Sequence, residues 1–413
     1  MPSALQIDFR NLRPERPPVV LLGGLNVLRT LGLARIPAIV ASPSTDALVF
    51  WSRYCSGRCY LPPLEHSAVA AEMLAEAGAR LAEALGRPVP LFYGNDDALN
   101  LVVQHRERLA PHFSMVLNDP EVASALLDKA RFEPFARRQN LPVQHTLEWS
   151  SVGAWPHPVL VKPKLKTDWK RSPVHVRLFG GAGKARVFPS GRALALDALA
   201  RQLRDELIIQ EYVPGGDRQL WSFHGYADAS GQQLAWFIGR KVRTYPALTG
   251  ASTCVELARN DELAELGRCV AARAGLKGVF KMDFKRNVHT GEWRLLEINA
   301  RFNLWHYPAA RNGINLMEIA YEHLIRGARP PANPHYGTRY RWVAVPADYH
   351  AYRELAVRGE LSAVAWLVSL LRPKVYELHS WRDPLPLLGA CLRKVKRIPR
   401  LTGRLRRWLS TAS

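Results

Sequence analysis

The sequence is poor in cysteine and has no long apolar run. It has five cysteines in 413 residues, an odd number that argues against a disulfide framework and for a reducing compartment. The longest apolar run, residues 361–371, is shorter than the ~20 residues that a helix needs to cross a bilayer. The N-terminus also lacks the basic and then apolar pattern of a signal peptide. We therefore expect a cytoplasmic protein.

Acidic residues are scarce as well. The chain has 57 Lys and Arg against 36 Asp and Glu, a formal net charge of +21. Nucleic acid, an anionic membrane and phosphorylated ligands would all fit this charge. No helix-turn-helix, zinc-finger or RNA-binding signature is present, so we expect no specific nucleic-acid partner. The apolar content of 47% is that of an ordinary globular protein, and the length allows two or three domains.

The common glycine motifs for nucleotides are also missing. Gly23-Gly24 follows an apolar strand but lacks the G-x-G-x-x-G spacing. The glycine loop at residues 179–184, which contains Gly181 and Gly183, does not fit the P-loop pattern. Its backbone N–H groups could still cover phosphates, and a plain hairpin loop is the open alternative.

Residues 278–301 are predicted to form a hairpin with two different faces. Alternation with period two turns three apolar residues of each strand inward. These six are Phe280, Met282, Phe284, Leu296, Ile298 and Ala300. With the turn at Thr290-Gly291, Asp283 falls across from Glu297, and Asn299 shares their face.

Two carboxylates this close repel each other, so the hairpin favours a bound cation. Carboxylate and amide oxygens suit Mg²⁺ or Mn²⁺. The sequence therefore predicts a metal site made of Asp283, Glu297 and Asn299. A solvated acidic hairpin is the alternative that the residues leave open.

Three further segments carry candidate residues. Lys162 ends the apolar strand at residues 158–163, where a lysine needs an anion unless it reaches the surface. The strand at residues 207–213 leads into Pro-Gly-Gly-Asp217, and such an extended backbone can bond an adenine edge while the carboxylate holds a ribose. Arg240 and Lys241 lie in a cationic strand that could clamp a carboxylate or acyl phosphate, or could simply be solvated.

Taken in order, these motifs resemble the ATP-grasp superfamily over residues 17 to about 325. The motifs are Lys129, Lys162, the glycine loop, the strand and turn at residues 211–217, and the hairpin of Asp283, Glu297 and Asn299. The resemblance implies a ligase that makes an acyl phosphate from a carboxylate and ATP, with Mg²⁺, and passes the acyl group to an amine or another nucleophile.

The resemblance also implies a role for each candidate residue. It implies Lys129, Lys162, Gly181 and Gly183 at the phosphates, Glu211, Tyr212 and Val213 at the adenine, and Asp217 at the ribose. Arg301 would neutralise the transferring phosphoryl group, with Arg240 and Lys241 beside it. Phe302, Asn303, Trp305 and His306 would line the acceptor pocket, although His306 also fits a purely structural role.

The expected fold class is α/β and α+β. We predict a pre-ATP-grasp open α/β domain at 1–117, a two-lobed ATP-grasp domain at 118–330, and a basic amphipathic C-terminal appendage at 331–413. Residues 389–413 contain eight Lys and Arg and no acid, so this tail could bind an anionic membrane surface or pack onto the enzyme. A small-molecule kinase and an inactive nucleotide-sensing or nucleic-acid-binding protein are the alternative functions.

Overall fold

The computed structural model describes residues 5–164, 173–179 and 185–393, without the side chains of Lys129 and of residues 173–175. The chain divides into two compact units. The first comprises residues 1–114 together with 375–413, and the second comprises residues 115–374. No helix in the described ranges is both long and apolar enough to cross a membrane.

The first unit is an open α/β sheet. Its elements are β1 (Leu5–Gln6), β2 (Val19–Leu22), α1 (Leu25–Leu33), β3 (Ala38–Ser42), β4 (Cys55–Tyr60), α2 (Ser67–Leu85), β5 (Val89–Tyr93), α3 (Asp96–Gln104), α4 (Arg106–Leu109) and β6 (Phe113–Ser114). The strand order is β1-β4-β3-β2-β5-β6, parallel except for β1. β2 and β5 are wholly buried, as expected for central parallel strands. The apolar strand that the sequence places before Gly23-Gly24 is confirmed as β2.

The C-terminal segment belongs to this first unit through a buried ion pair. Asp383 accepts from Arg29 Nε at 2.9 Å, and both side chains are fully buried. The same carboxylate accepts from Ser52 Oγ and from the backbone N–H of Arg53, each at 2.9 Å. The remaining Arg29 N–H groups donate to backbone carbonyls, among them that of Leu378. Every charge of this pair is therefore hydrogen-bonded, as a buried pair requires.

The second unit begins with a small antiparallel sheet. Its elements are α5 (Pro120–Leu127), α6 (Lys129–Arg138), β7 (Thr146–Leu147), α7 (Trp149–Val152), β8 (Val159–Pro163), α8 (Pro173–Phe179), β9 (Arg186–Phe188), α9 (Gly191–Leu196), α10 (Ala198–Gln202) and β10 (Leu207–Glu211). The strand order is β7-β10-β8-β9. Pairing of Ile208 with Lys162 brings the end of β8 beside the start of β10.

A larger antiparallel sheet forms the rest of this unit. Its elements are β11 (Leu220–Ala227), β12 (Gln233–Tyr245), β13 (Ala251–Ala258), α11 (Asp261–Arg273), β14 (Gly278–Arg286), β15 (Trp293–Asn299), α12 (His306–Arg311), α13 (Leu316–Arg326), β16 (Arg341–Val343), α14 (Val345–Val357) and α15 (Ala363–Ser369), followed by β17 (Lys374–Tyr376) at the unit boundary. Within the unit the strand order is β15-β14-β11-β12-β13-β16. One face packs on α11, where a Cβ at Gly267 would come 2.3 Å from the Phe223 ring.

The β14–β15 hairpin has the predicted register with one bulge. Asp283 pairs with Glu297 as expected, and Phe280, Met282 and Phe284 are fully buried. The next pair is Phe284 with Leu295, so Leu296 is an extra residue. The bulge turns Leu295 into the core and leaves Leu296 only partly buried, which corrects the prediction that Leu296 lies inward.

The segment from residue 306 to residue 326 contains two separate helices. α12 ends at Arg311 and α13 begins at Leu316. Gly313, at φ +97°, takes a backbone conformation that continues no helix, and Asn315 caps α13 by accepting from the N–H groups of Met317 and Glu318.

Candidate active site

Asp283 is the centre of an ionic cluster on the sheet face opposite α11. Its carboxylate accepts a hydrogen bond from Ser222 Oγ on β11 and one of 2.7 Å from Lys281 Nζ. Lys241 Nζ on β12 lies 3.8 Å from the same carboxylate. Burial opposes ionisation, but the charges of Lys241 and Lys281 outweigh it and lower the pKa of Asp283. The carboxylate is therefore ionised at neutral pH.

Glu297 and Lys162 complete the cluster from two other strands. Glu297 faces Asp283 across the hairpin, within hydrogen-bonding reach of its carboxylate, and is exposed. Lys162 comes from β8 of the smaller sheet. Burial lowers the pKa of Lys162, the charge of Glu297 raises it, and the charge of Lys241 lowers it again. The structure thus brings together lysines and carboxylates that lie far apart in the sequence.

Asn299 and Arg301 follow on the same hairpin strand. Asn299 pairs with Lys281, two residues along the strand from the Asp283–Glu297 pair and on the same face. Arg301 comes two residues later, after the end of β15, and is partly buried. The predicted set Asp283, Glu297 and Asn299 is therefore placed together on one hairpin.

Arg240 and Lys241 do not act on the same side of the sheet. Adjacent residues of a strand point to opposite faces. Lys241 faces Asp283, whereas Arg240 pairs with Glu256 at 2.5 Å and lies over the Trp221 ring at 5.4 Å. The structure therefore keeps Lys241 in the cluster and places Arg240 outside it.

The end of β10 and the extended segment after it carry the predicted adenine contacts. Two backbone N–H groups of this segment are already hydrogen-bonded within the protein. Glu211 N–H donates to His145 O at 2.8 Å, and Tyr212 N–H donates to Pro158 O at 3.1 Å. Val213 is buried. The Tyr212 ring lies 4.3 Å from Lys285 Nζ, a cation–π contact.

Lys285 lies on the strand face of Asp283, where alternation places it, although the sequence assigned it no role. It lies two residues after Asp283 on the same strand and is only 5% exposed. Burial lowers its pKa to about 8, and the charge of Asp217 partly offsets that effect. Alternation places Lys281 on this face as well, also without an assigned role. The signal available for both was their period-two spacing around Asp283.

Asp217 has contacts that differ from the predicted ribose role. Its carboxylate accepts from Thr244 N–H at 2.7 Å, from Thr244 Oγ1 at 2.9 Å and from Leu248 N–H at 2.9 Å. The side chain is 9% exposed. These three donors fix the segment that follows β12, so the carboxylate is largely engaged in supporting the fold.

An aromatic wall covers the sheet face next to the ionic cluster. The Trp305 ring lies over Gly239, where a Cβ would come 2.2 Å from it. His224 stacks on Phe237 at 4.4 Å, and His306 meets His224 edge-on at 5.9 Å. No described group hydrogen-bonds either imidazole.

Both histidines of this wall are neutral. Burial lowers the pKa of His306 to about 3 and is the main cause that lowers that of His224. Groups with so low a pKa are poor general bases at neutral pH. The geometry favours the structural role left open for His306.

Three predicted phosphate contacts lie outside what the structure describes. Lys129 is the first residue of α6, but its side chain is not described. Gly181 and Gly183 fall between the described ranges.

The donors at the hairpin fit a hard divalent cation. Two carboxylates and a carboxamide converge there, with at least one carboxylate ionised. The described ranges contain no group of three or more His, Cys, Asp and Glu that could hold a metal. A metal here would therefore need the amide oxygen of Asn299 and oxygens from a substrate.

No family model matches the chain. D-aspartate ligase of Enterococcus faecium (strain Aus0004) is 24% identical over 272 residues, covering 61% of this chain and 63% of that protein. The match thus spans less than two thirds of that relative's length.

Solved structures are similar over larger shares of the chain. The biotin carboxylase of Campylobacter jejuni has a TM-score of 0.55 at 14% identity, covering 78% of this chain and 74% of its own. An N5-carboxyaminoimidazole ribonucleotide synthetase, solved with ADP, has a TM-score of 0.57 at 12% identity, with coverages of 80% and 81%. An L-amino acid ligase of Bacillus licheniformis has a TM-score of 0.52 at 12% identity, with coverages of 77% and 74%.

Proposed function

The chain has the ATP-grasp fold, and on that premise we propose that it is an ATP-dependent ligase that joins a carboxylate to an amine. The fold predicted from the sequence is confirmed. The reaction proposed here has two steps. A substrate carboxylate attacks the γ-phosphorus of ATP, which forms an acyl phosphate and releases ADP. The amine then attacks the acyl carbon and expels phosphate.

The observation that carries this proposal is the convergence of cations and carboxylates from three strands of the large sheet and one of the small sheet. Lys241, Lys281 and Lys162 approach the Asp283–Glu297 pair. Phosphoryl transfer needs positioning and charge neutralisation more than covalent help from the protein. A cluster of lysines beside paired carboxylates supplies both.

The basic residues of the site would bind the anionic groups of the substrates. Lys162 would hold ATP phosphate oxygens, with Lys129 and the loop of Gly181 and Gly183 as further predicted contacts. Lys241 and Arg301 would hold the carboxylate and stabilise the acyl phosphate. Fixed ammonium groups in a partly buried site stabilise developing negative charge because they need no reorganisation during the reaction.

Mg²⁺ is the metal that the hairpin oxygens suit best. Asp283, Glu297 and Asn299 would hold it, and it would neutralise charge on the phosphates when bound. Ser222 and Lys281 orient the Asp283 carboxylate for this purpose. Mn²⁺ prefers similar ligands and would bind the same oxygens.

The nucleotide base would lie against the end of β10 and the segment that follows it. Glu211, Tyr212 and Val213 provide an extended backbone there, and Lys285 with the Tyr212 ring forms an adjoining wall. The ribose contact assigned to Asp217 is the weakest part of this set, because Thr244 and Leu248 already occupy its carboxylate.

The substrate class is a small carboxylic acid and a small amine. The similarity to a D-aspartate ligase favours an amino acid as one of the two. The aromatic wall of Trp305 closes one side of the site, which favours a compact acceptor.

Measuring the release of free phosphate and of ADP distinguishes a ligase from the alternative functions. With Mg²⁺-ATP, a metabolite screen should find free phosphate only when both a carboxylate and an amine are present. A small-molecule kinase would release ADP but would keep the phosphate on its product, with no need for an amine. A nucleotide sensor would bind ATP and release neither. Free phosphate that appears equally without any amine would overturn the ligase proposal.

We also propose that the enzyme works in the cytoplasm at an anionic membrane surface. The composition of the C-terminal segment supports this location, because cations without acids are attracted to anionic lipid.

A further inference from the structure

The last described helix presents an apolar stripe to solvent. Residues 385–393 are helical, and we call them the tail helix. Leu385, Leu388 and Leu392 are 47%, 51% and 43% exposed. Their spacing of three and four residues places them on one helix face. Trp381, just before the helix, is 89% exposed.

The opposite face of the tail helix is fixed to the first unit. Pro386 and Gly389 are buried, and a Cβ at Gly389 would come 3.0 Å from the Trp51 ring. Arg393 lies 3.5 Å from Asp46. The buried pair of Asp383 with Arg29 anchors the chain just before the helix. The leucine stripe therefore faces outward because the other side of the helix is already packed.

Single exposed leucines are common on protein surfaces, but an aligned stripe beside an exposed tryptophan is not. The residues that follow it add charge of one sign. Residues 389–413 contain eight Lys and Arg and no Asp or Glu. Exposed leucines on one helix face, an exposed tryptophan and a run of cations in the sequence that follows are the composition of helices that lie in the plane of a membrane interface.

Resting on the membrane location proposed above, we propose that the tail helix docks on an anionic membrane surface, with its leucine stripe at the boundary between headgroups and acyl chains. The anchored geometry carries this inference, since it fixes which face meets the lipid. Cations near an anionic leaflet and leucines at its interface act together, so a few cations and three leucines suffice for reversible binding.

Other occupants fit the surface less well. A nucleic acid would be attracted to the cations but would gain nothing from the leucines. A second copy of the chain would bring two basic tails together, and like charges repel. An anionic lipid surface attracts the cations and also buries the leucine stripe.

Flotation with lipid vesicles tests the proposal on the full-length protein. The probes are vesicles of pure phosphatidylcholine and vesicles that also contain phosphatidylserine. The test variant is the triple change Leu385→Ser, Leu388→Ser and Leu392→Ser. The matched control is Val364→Ser, Leu367→Ser and Leu371→Ser, which alters three apolar residues of the second unit that are even more exposed.

The protein should float with the anionic vesicles and not with the neutral ones. The tail-helix variant should lose binding about tenfold or more, and the control should keep it. Equal thermal midpoints of the variants would show that folding is intact. Full binding by the tail-helix variant, or loss of binding by the control alone, would overturn the proposal.

Two further outcomes would also overturn it. The stripe could mediate self-association, in which case the wild type would sediment as a dimer, the triple variant as a monomer, and neither would float. Alternatively, RNA could bind the protein equally well in wild type and variant while vesicles do not. Vesicle binding uses no ATP, so its failure would leave the ligase proposal standing.

Discussion

Two clusters of charge lie on opposite faces of the same sheet, and their difference separates a candidate site from a structural support. On one face, Lys241 and Lys281 surround Asp283, and Glu297 opposite remains exposed. On the other face, Glu256 is 4% exposed and is enclosed by arginines. The two clusters begin at neighbouring residues, Lys241 and Arg240.

The cluster around Glu256 is closed. Its carboxylate accepts from Arg240 at 2.5 Å, from Arg341 Nε at 2.8 Å and from Arg372 at 3.1 Å. These arginines come from β12, from β16 and from the segment after α15, so one carboxylate ties the edge of the sheet to the segment after α15. Arg243 does the same with buried Asp348 of α14, at 2.7 and 2.8 Å.

The cluster around Asp283 is open by contrast. It contains more cations than the buried carboxylate needs, and the exposed Glu297 lies at its rim. Excess positive charge beside oxygen ligands suits an anion that arrives with its own metal, such as Mg²⁺-ATP. The role of a basic residue on β12 therefore depends on the sheet face that it occupies rather than on its residue type.

The largest expected effect is on stability, at the closed cluster. Glu256→Gln should lower the free energy of unfolding by about 3 kcal/mol, because it leaves arginines facing one another without their counter-ion. Urea denaturation measures this. Glu262→Gln is the control, since its pair with Arg286 is 3.8 Å long and exposed on both sides and should contribute under about 0.5 kcal/mol. Equal effects of the two changes would contradict the structural role.

The second prediction separates the two neighbours on β12. Lys241→Met should lower kcat/KM for phosphate release about 100-fold, since it removes a fixed charge from the site. Arg240→Met should leave kcat/KM within about threefold and cost stability instead. The reverse pattern would show that the faces have been assigned to the wrong functions.

The third prediction concerns Lys162. Lys162→Met should weaken ATP binding about tenfold in calorimetry, with no loss of stability, because burial disfavours its charge in the protein without ligand. Lys164→Met, two residues later, is the control. Lys164 is exposed and donates to Asp205 O at 2.7 Å. Equal ATP affinity in both variants would make Lys162 an ordinary structural lysine.

The smallest effect is on the pH dependence of stability. Burial raises the pKa of Glu256, but hydrogen bonds and charges from Arg240 and Arg341 outweigh it and hold the pKa below the ordinary 4.5. The unfolded chain therefore takes up this proton first, so stability falls as pH drops below about 4.5. Glu256→Gln should remove up to about 1 kcal/mol of that fall between pH 5 and 3, measured by urea midpoints. An equal fall in the urea midpoint with pH for the wild type and for Glu256→Gln would contradict this prediction.

The sequence was sufficient for features that depend on short periods. Alternation predicted the inward Phe280 and Met282 and the pairing of Asp283 with Glu297, and both are confirmed. It did not predict the bulge at Leu296, because a bulge depends on packing against neighbouring strands. It also grouped Arg240 with Lys241, although the same alternation separates them.

Long-range partners could not be read from the sequence. The ion pair of Arg29 and Asp383 joins residues 354 positions apart, so no local pattern could show that the segment around Asp383 belongs to the first unit. The donors that occupy Asp217 come from Thr244 and Leu248 in another segment. Local pattern identifies which residues could act, and only the fold shows which of them are already engaged.

Calorimetry of ATP binding with and without Mg²⁺, on the wild type and on Glu297→Gln, tests the central claim most directly. The measurement needs no knowledge of the other substrates. The wild type should bind ATP at least about tenfold more tightly with Mg²⁺. Glu297→Gln should fold with an unchanged thermal midpoint and lose most of that Mg²⁺ effect, because a neutral amide is a weaker ligand than a carboxylate. An undiminished Mg²⁺ effect in the folded variant would contradict the assignment of the hairpin as the site of Mg²⁺-ATP.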